Sequence, residues 1–253
     1  MRPRVLVLGG TAEARELAAA LDLRGVPVIS SLAGRVRRPR LPVGEVRTGG
    51  FGGADGLAEW LRGASVAAVV DATHPFAERI SVSAATACPA LGVPLLRLQR
   101  PGWRQGPGDD WHWVADLDEA AAAVRRLGRR ILLTTGRQGL ASFAAADDAW
   151  FLVRCVDPPD PPLPPHHELL LDRGPYTLTG ERALMVSRRI DVVATKDSGG
   201  ELTRAKLDVA RERGLPVVIV RRPPRPRVPE VAAVDDAAAW AARIAQPGWP
   251  RGV

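Results

Sequence analysis

Cysteine is nearly missing from this chain of 253 residues: Cys88 and Cys155 stand in unrelated contexts and form no CxxC. That excludes a disulfide framework, and the usage fits a reducing compartment. No metal site is expected. Long apolar runs are missing too. None approaches the ~18–20 residues of a membrane span, and the first is a short strand rather than the core of a signal peptide. The chain therefore reads as cytoplasmic, with no membrane partner. Lysine occurs only at Lys196 and Lys206, so arginine carries nearly all of the 35 basic residues that outnumber 28 acidic ones, for a formal charge of +7. Arginine grips carboxylates and phosphates in a bidentate manner, which favours an anionic ligand. A GC-rich coding bias toward Arg, Ala, Gly and Pro accounts for part of that count. The basic residues are interleaved with acids, which speaks against nucleic acid.

What is present starts with Val5-Leu6-Val7-Leu8, which runs into Gly9-Gly10-Thr11-Ala12-Glu13-Ala14. Ala14, Leu17, Ala18 and Leu21 then fall on one helical face. Gly25 is the expected C-cap, and Val26–Ser30 opens a second strand. A strand, glycine turn and helix point backbone N–H groups and the positive helix end at a bound phosphate. The G-x-G-x-x-G fingerprint is incomplete, with Ala14 near the place of the third glycine. A tight turn that binds nothing is the competing reading. Strand two ends at Ser30-Ser31, followed by Arg35, where an NAD site usually places an acid. Hydroxyls and a guanidinium suit a 2′-phosphate, and a solvated basic loop is the alternative.

Further expected strands are 43–48, 66–70, 93–98, 111–114, 130–133, 149–154, 190–194 and 216–220. Helices are expected over 54–61, 76–88 (stopped by Pro89), 116–127 (capped by Asp116), 179–187 (capped by Thr179), from about 202 to Gly214, and 235–244. Gly102–Asp110 reads as a linker, and the prolines of 157–165 as a stiff loop. The result is an α/β chain of two Rossmann-like parallel-sheet halves, 1–101 and 102–253, with a ligand cleft expected between them. Four polar loops each follow an apolar strand and precede a helix: Gly9-Gly10-Thr11, Asp71-Ala72-Thr73-His74, Thr135-Gly136-Arg137, and Lys196-Asp197-Ser198-Gly199-Gly200. In open α/β sheets, ligand groups gather beyond the carboxyl ends of strands.

With these loops in hand, the chain resembles the precorrin-6A/cobalt-precorrin-6A reductase family of cobalamin biosynthesis. The matching pieces are Leu8–Arg15, Ser31–Arg35, Asp71–Ala77, Leu98–Trp103, Thr135–Arg137 and Thr195–Gly200, spread from residue 5 to about 223. DATHPFA and TKDSGG together are highly specific. The resemblance implies NADPH-dependent reduction of precorrin-6A to precorrin-6B, with a hydride to C19 and a proton to C18 of the macrocycle. It implies a cofactor site of Gly9, Gly10, Thr11, Glu13, Ala14, Ser30, Ser31, Arg35 and Thr73. Substrate contacts would come from Arg97, Thr135, Gly136, Arg137, Lys196, Asp197, Ser198, Gly199, Gly200 and Lys206. Asp71, His74 and Lys196 are the candidate proton donors, with bound water as a rival. Besides the tetrapyrrole, transient contact with neighbouring pathway enzymes is an implied partnership.

Three other readings are weighed. An NADH-dependent cobalt-precorrin-6A reductase would use the same fold. A short-chain dehydrogenase needs Tyr-x-x-x-Lys, but the one tyrosine, Tyr176, is followed four residues later by Gly180, so that reading fails. A non-catalytic nucleotide-binding regulator would keep the glycine turn without needing the polar loops of the second half.

Overall fold

The computed structural model describes residues 3–34 and 36–246. The opening apolar run forms β1 (Arg4–Leu8), and α1 (Ala12–Leu23) follows. Thr11 caps the helix from an extended backbone, its side chain accepting from the Ala14 N–H. The four residues expected on the inner face, Ala14, Leu17, Ala18 and Leu21, are all buried. Then come β2 (Val28–Leu32), β3 (Glu45–Thr48), α2 (Gly53–Gly63), β4 (Val66–Asp71), α3 (Glu78–Ala90) and β5 (Leu95–Leu98). Pro89 does not stop α3 ahead of itself. It sits in the last turn, and the helix closes just after it with the Leu91 N–H bonding back to the Cys88 and Pro89 carbonyls.

The second stretch is β6 (Trp111–Val114), α4 (Leu117–Leu127, capped by Asp116), β7 (Arg130–Thr134), β8 (Trp150–Cys155), β9 (His167–Leu171), α5 (Leu178–Ser187), β10 (Val192–Lys196), α6 (Ala205–Glu212) and β11 (Val217–Val220). The chain ends with β12 (Glu230–Val231) and α7 (Val234–Ile244). The cap of α5 is Thr177, whose hydroxyl accepts from the Gly180 N–H, rather than Thr179. The loop after β7 leads only to a 3-10 turn, Leu140–Phe143, where a full helix was expected.

Two compact units result, Met1–Pro101 with Pro223–Val253, and Gly102–Arg222. The expected second half, 102–253, thus loses its last segment to the first unit. The reason is pairing: β12 lies parallel to β5 and α7 packs on α1. Each unit holds one six-stranded sheet, ordered β12-β5-β4-β1-β2-β3 in the first and β6-β11-β10-β7-β8-β9 in the second. All pairings are parallel. Numbered within its own unit, the first sheet has the doubly wound order 3-2-1-4-5-6, and the second has the order 4-3-2-5-6-1, in which the run β7–β11 takes the places of the first five. The sixth place is filled from outside the run of five in both. In the first unit it is taken by β12, after the whole second unit, and in the second by β6, before the other five.

Helices cover both faces of each sheet. In the first unit α1 and α7 bury Val5, Val7, Val70 and Leu96, while α2 and α3 bury Leu6, Leu8, Ile29 and Val69. A parallel strand buried on both faces has to be apolar throughout, which is why β1 and β4 read as continuous runs. In the second unit α5 and α6 cover Leu132, Leu152, Val193 and Ile219. Its other face carries α4 and the edge-to-face pair Phe143 and Phe151, 5.8 Å between ring centroids. Both cysteines are free and buried, and burial pushes the Cys88 thiol up to about 12. Among the described residues no helix is long and apolar enough to cross a membrane.

Candidate functional site

In each sheet the strand order reverses once, between β1 and β4 in the first unit and between β7 and β10 in the second. The four polar loops are the four that leave these strands. The crevice at such a reversal is where doubly wound sheets bind ligands.

In the first unit, Gly10 has φ +112°, and a Cβ added there would meet nothing within 4 Å. The glycine is thus required by backbone conformation, and the space beside it is open. Thr11 donates from its hydroxyl to the Ala72 carbonyl at 2.8 Å, tying the two loops together. Ala12 and Glu13 open α1, so their N–H groups have no partner within the helix and face the crevice end. A pocket lies here, lined by Thr11, Glu13, Ala72, Thr73, Pro75, Leu98, Gln99 and Arg100. Glu13 is paired with Arg100 at 2.6 Å, and Ala14 is buried beneath Gly9. His74 receives the Phe76 N–H at Nδ1, 3.3 Å, and its ring packs against Phe76.

Asp71 is differently placed from what a proton donor requires. It is 2 % exposed, and its carboxylate accepts from the Thr73 hydroxyl and the Ser81 hydroxyl, each at 2.6 Å. Arg97 and Arg225 also face it, at 3.7 and 3.4 Å. The expectation of Arg97 as a substrate contact is corrected in the same way. It is buried, donates to the Pro226 carbonyl at 3.0 Å and lies 3.6 Å from Glu230. Both groups hold the returning segment to the ends of β4 and β5. Arg225 completes the network with bonds to Thr73 at 3.1 Å and Gln99 at 2.7 Å, two residues of the pocket.

At the end of β2, Ser30 is 1 % exposed and lies inside the sheet, while Ser31 accepts from Arg47 at 3.0 Å. Arg35 lies outside the described residues.

In the second unit, Thr135 is buried and its hydroxyl has no partner among the described residues. Gly136 beside it has φ +81°. Arg137 is half-buried close to Cys155. Lys196 ends β10, and burial pushes its pKa below the ordinary lysine value. Ser198 shares a hydrogen bond with Thr203 at 3.2 Å. Lys196 is not at a helix N-terminus as expected. A 3-10 turn, Glu201–Thr203, intervenes before α6.

Asp197 and Lys206, expected to touch substrate, instead hold this loop from below. Asp197 is buried, accepting from the Trp103 N–H at 3.0 Å and from Arg222 at 3.1 Å. A Cβ on Gly102 would meet its carboxylate at 2.6 Å, so glycine is what lets the chain pass. Trp103 also donates its indole N–H to the Gly200 carbonyl at 3.1 Å. Lys206 is 4 % exposed, donates to the Thr203 carbonyl at 2.7 Å and lies 4.8 Å from the Trp103 ring centre. Its pKa is pushed down to about 7 by burial and by Arg154, with Glu181 opposing.

A pH dependence follows from Lys206. Unfolded, it titrates near 10.5, so between about 7 and that value the unfolded chain holds the extra proton and stability rises with pH. The contribution is about 1–3 kcal/mol between about pH 7 and pH 9, at roughly 1.4 kcal/mol per pKa unit. Urea unfolding at a series of pH values should show the rise in the wild type and its loss in Lys206→Met. Identical profiles for the two proteins would remove Lys206 as the source.

Comparison with known proteins decides what these loops belong to. The family described as Precorrin-6x reductase CbiJ/CobK matches the chain over residues 4–242. The chain belongs to this family. A precorrin-6A reductase of Rhodococcus erythropolis is 58 % identical over 236 residues, covering 93 % of this chain and 94 % of the relative. One of Mycobacterium tuberculosis is 51 % identical over 245 residues, covering 95 % and 98 %. A solved structure, the CobK precorrin-6A reductase, superposes with a TM-score of 0.90 at 41 % identity, covering 96 % of this chain and 97 % of that one.

In this member of the CbiJ/CobK family, the residues that sequence reasoning missed are Arg47, Gln99, Arg100, Trp103, Arg222 and Arg225. Gln99, Arg100 and Trp103 stood within a quoted stretch, but as pattern and without a role. Arg225 carried no local signal. Asp71, which it faces, is 154 residues away in sequence.

Proposed function

We propose that the protein reduces precorrin-6A to precorrin-6B in cobalamin biosynthesis, with NADPH as reductant, delivering a hydride to C19 and a proton to C18. The single observation that carries this is the first unit's crevice, built in a chain of this family. There an open glycine turn passes into a capped helix beside a pocket at the strand-order reversal. The second unit has no such turn-to-helix passage, so the dinucleotide is assigned to the first. Gly9, Gly10 and the N–H groups opening α1 would hold its pyrophosphate, Thr73 would line the pocket, and Ser31 with Arg35 would meet the ribose phosphate. When bound, NADPH supplies the hydride.

The tetrapyrrole is a polycarboxylate, and the second unit offers it Thr135, Gly136, Arg137, Lys196, Ser198, Gly199 and Gly200. For the proton, Asp71 is set aside because its oxygens are engaged within the buried network. His74, Lys196 and bound water remain as sources, and burial brings the Lys196 pKa below the ordinary lysine value.

The test of the function is stoichiometric oxidation of NADPH on addition of precorrin-6A, with the reduced macrocycle identified by mass. Oxidation that does not depend on the tetrapyrrole would sink it. For the second-unit loop, Lys196→Ala is expected to lower kcat/KM about 10–150-fold, the worth of one hydrogen bond to a charged group. Its melting temperature should stay near that of the wild type. Unchanged kinetics would leave the loop as a turn only.

A further inference from the structure

We propose that Arg47 is the fixed cation recognising the ribose 2′-phosphate of the cofactor, acting together with the Ser31 hydroxyl. The inference rests on the NADPH reading above and adds a residue to it. Arg47 and Ser31 are register partners on β3 and β2, one residue from the carboxyl ends of both strands. In a doubly wound sheet that is the side where the adenosine ribose of a dinucleotide lies.

The geometry makes Ser31 a directed donor. Its Oγ accepts from Nη1 of Arg47 at 3.0 Å, so its own O–H is left to point at another acceptor. The same Nη1 also donates to the Gly49 carbonyl at 2.9 Å, and Nη2 to the Gly50 carbonyl at 3.0 Å. Three of the five guanidinium donors are thus used, and two remain for a ligand. One face of the guanidinium lies 3.7 Å from the Phe51 ring centre, and Phe51 is braced edge-on by Trp60 at 5.4 Å. A side chain held on that many sides has little rotamer freedom left to lose on binding, which favours a charged ligand of fixed geometry.

The charge balance points the same way. Arg4 pairs with Glu45, Arg100 with Glu13, and Arg97 and Arg225 with Asp71. Among the described residues no carboxylate pairs with Arg47, and burial alone pushes its pKa down. A half-buried cation without a counter-ion gains most from an anion that brings several acceptor oxygens, and a phosphomonoester does so.

The probes are 2′,5′-ADP and 5′-AMP, which differ only in the 2′-phosphate, titrated calorimetrically at one ionic strength against wild type, Arg47→Met and Arg47→Lys. The expected result for Arg47→Met is a loss of about 10–150-fold in affinity for 2′,5′-ADP with 5′-AMP unchanged. Arg47→Lys keeps the charge but not the fork, so it should fall between, again for 2′,5′-ADP alone. Equal losses for both probes, or none for either, in a variant that melts like the wild type would overturn the proposal. If Arg47→Met does not fold, Arg47→Lys decides by the same criterion. A wild type that binds both probes equally fails the NADPH reading itself, and the inference with it. A 2′-phosphate preference that survives in Arg47→Met fails the inference alone.

Discussion

Ending the chain at Arg222 is expected to unfold the first unit while leaving the second intact. The deletion removes β12, α7 and Arg225 together. Ala237, Ala238 and Ala241 of α7 are fully buried against Leu17, Leu21, Val70 and Leu96, and all of these would meet water. Exposing roughly 400 Å2 of apolar surface at about 25 cal/mol per Å2 costs on the order of 10 kcal/mol. That is comparable to the whole stability of a domain, about 5–15 kcal/mol. The network around Asp71 fails as well, since Arg97 loses the Pro226 carbonyl and Thr73 loses Arg225. Limited proteolysis of the truncated chain should leave a resistant fragment starting near Gly102. A truncated protein that resists cleavage throughout would refute the expectation.

Arg154→Met is expected to destabilise the second unit by about 3–5 kcal/mol, the usual cost of breaking a buried ion pair from one side. Arg154 and Glu181 are 2.5 Å apart, with side chains 4 % and 2 % exposed. Arg154 also lies under the Tyr176 ring, 3.9 Å from its centre. Among the described residues the other carboxylate oxygen of Glu181 is buried without a hydrogen-bond partner, so Arg154 is the chief compensation for that charge. Removing it strands an anion in the interior. The double variant Arg154→Met, Glu181→Met should regain a large part of the loss, because both charges leave together. Denaturant melts of the two proteins measure this. A single variant that loses less than about 1 kcal/mol would place the pair among the weak surface bridges.

Much of the fold could be read locally. Asp116 announces its helix because cap chemistry is short-range, and β1, β4 and β10 announce themselves because strands covered on both faces run apolar. β9 and β12 could not be read. β9 is an edge strand with an alternating exposed pattern next to a proline-rich loop, and β12 is two residues that become a strand only by lying against β5. The return of the last segment to the first unit was hidden for the same reason.

The site shows a sharper split. The sequence locates the loops but does not tell a charge that faces a ligand from one that is buried. Arg97, Asp197 and Lys206 stand beside the right motifs, yet Arg97 and Asp197 are engaged by partners farther along the chain, at Glu230 and Arg222, and Lys206 is buried against Trp103 with its amine on the Thr203 carbonyl. Arg47 shows the opposite error. It lies in a strand that was expected but given no role, and only its register with Ser31 brings it to the end of β2.

The exchange of sixth strands sets the order in which the molecule can mature as it leaves the ribosome. The second unit is continuous, so it is complete as soon as its last strand, β11, has been made. The first unit begins ahead of the second in the chain, yet it must keep an open sheet edge and an uncovered apolar face until β12 and α7 arrive. Domains otherwise tend to fold N-terminal first during synthesis. Here the first hundred or so residues, with the glycine turn among them, finish last. A nascent chain halted before α7 therefore leaves one face of the first sheet, and the crevice at its strand-order reversal, unfinished.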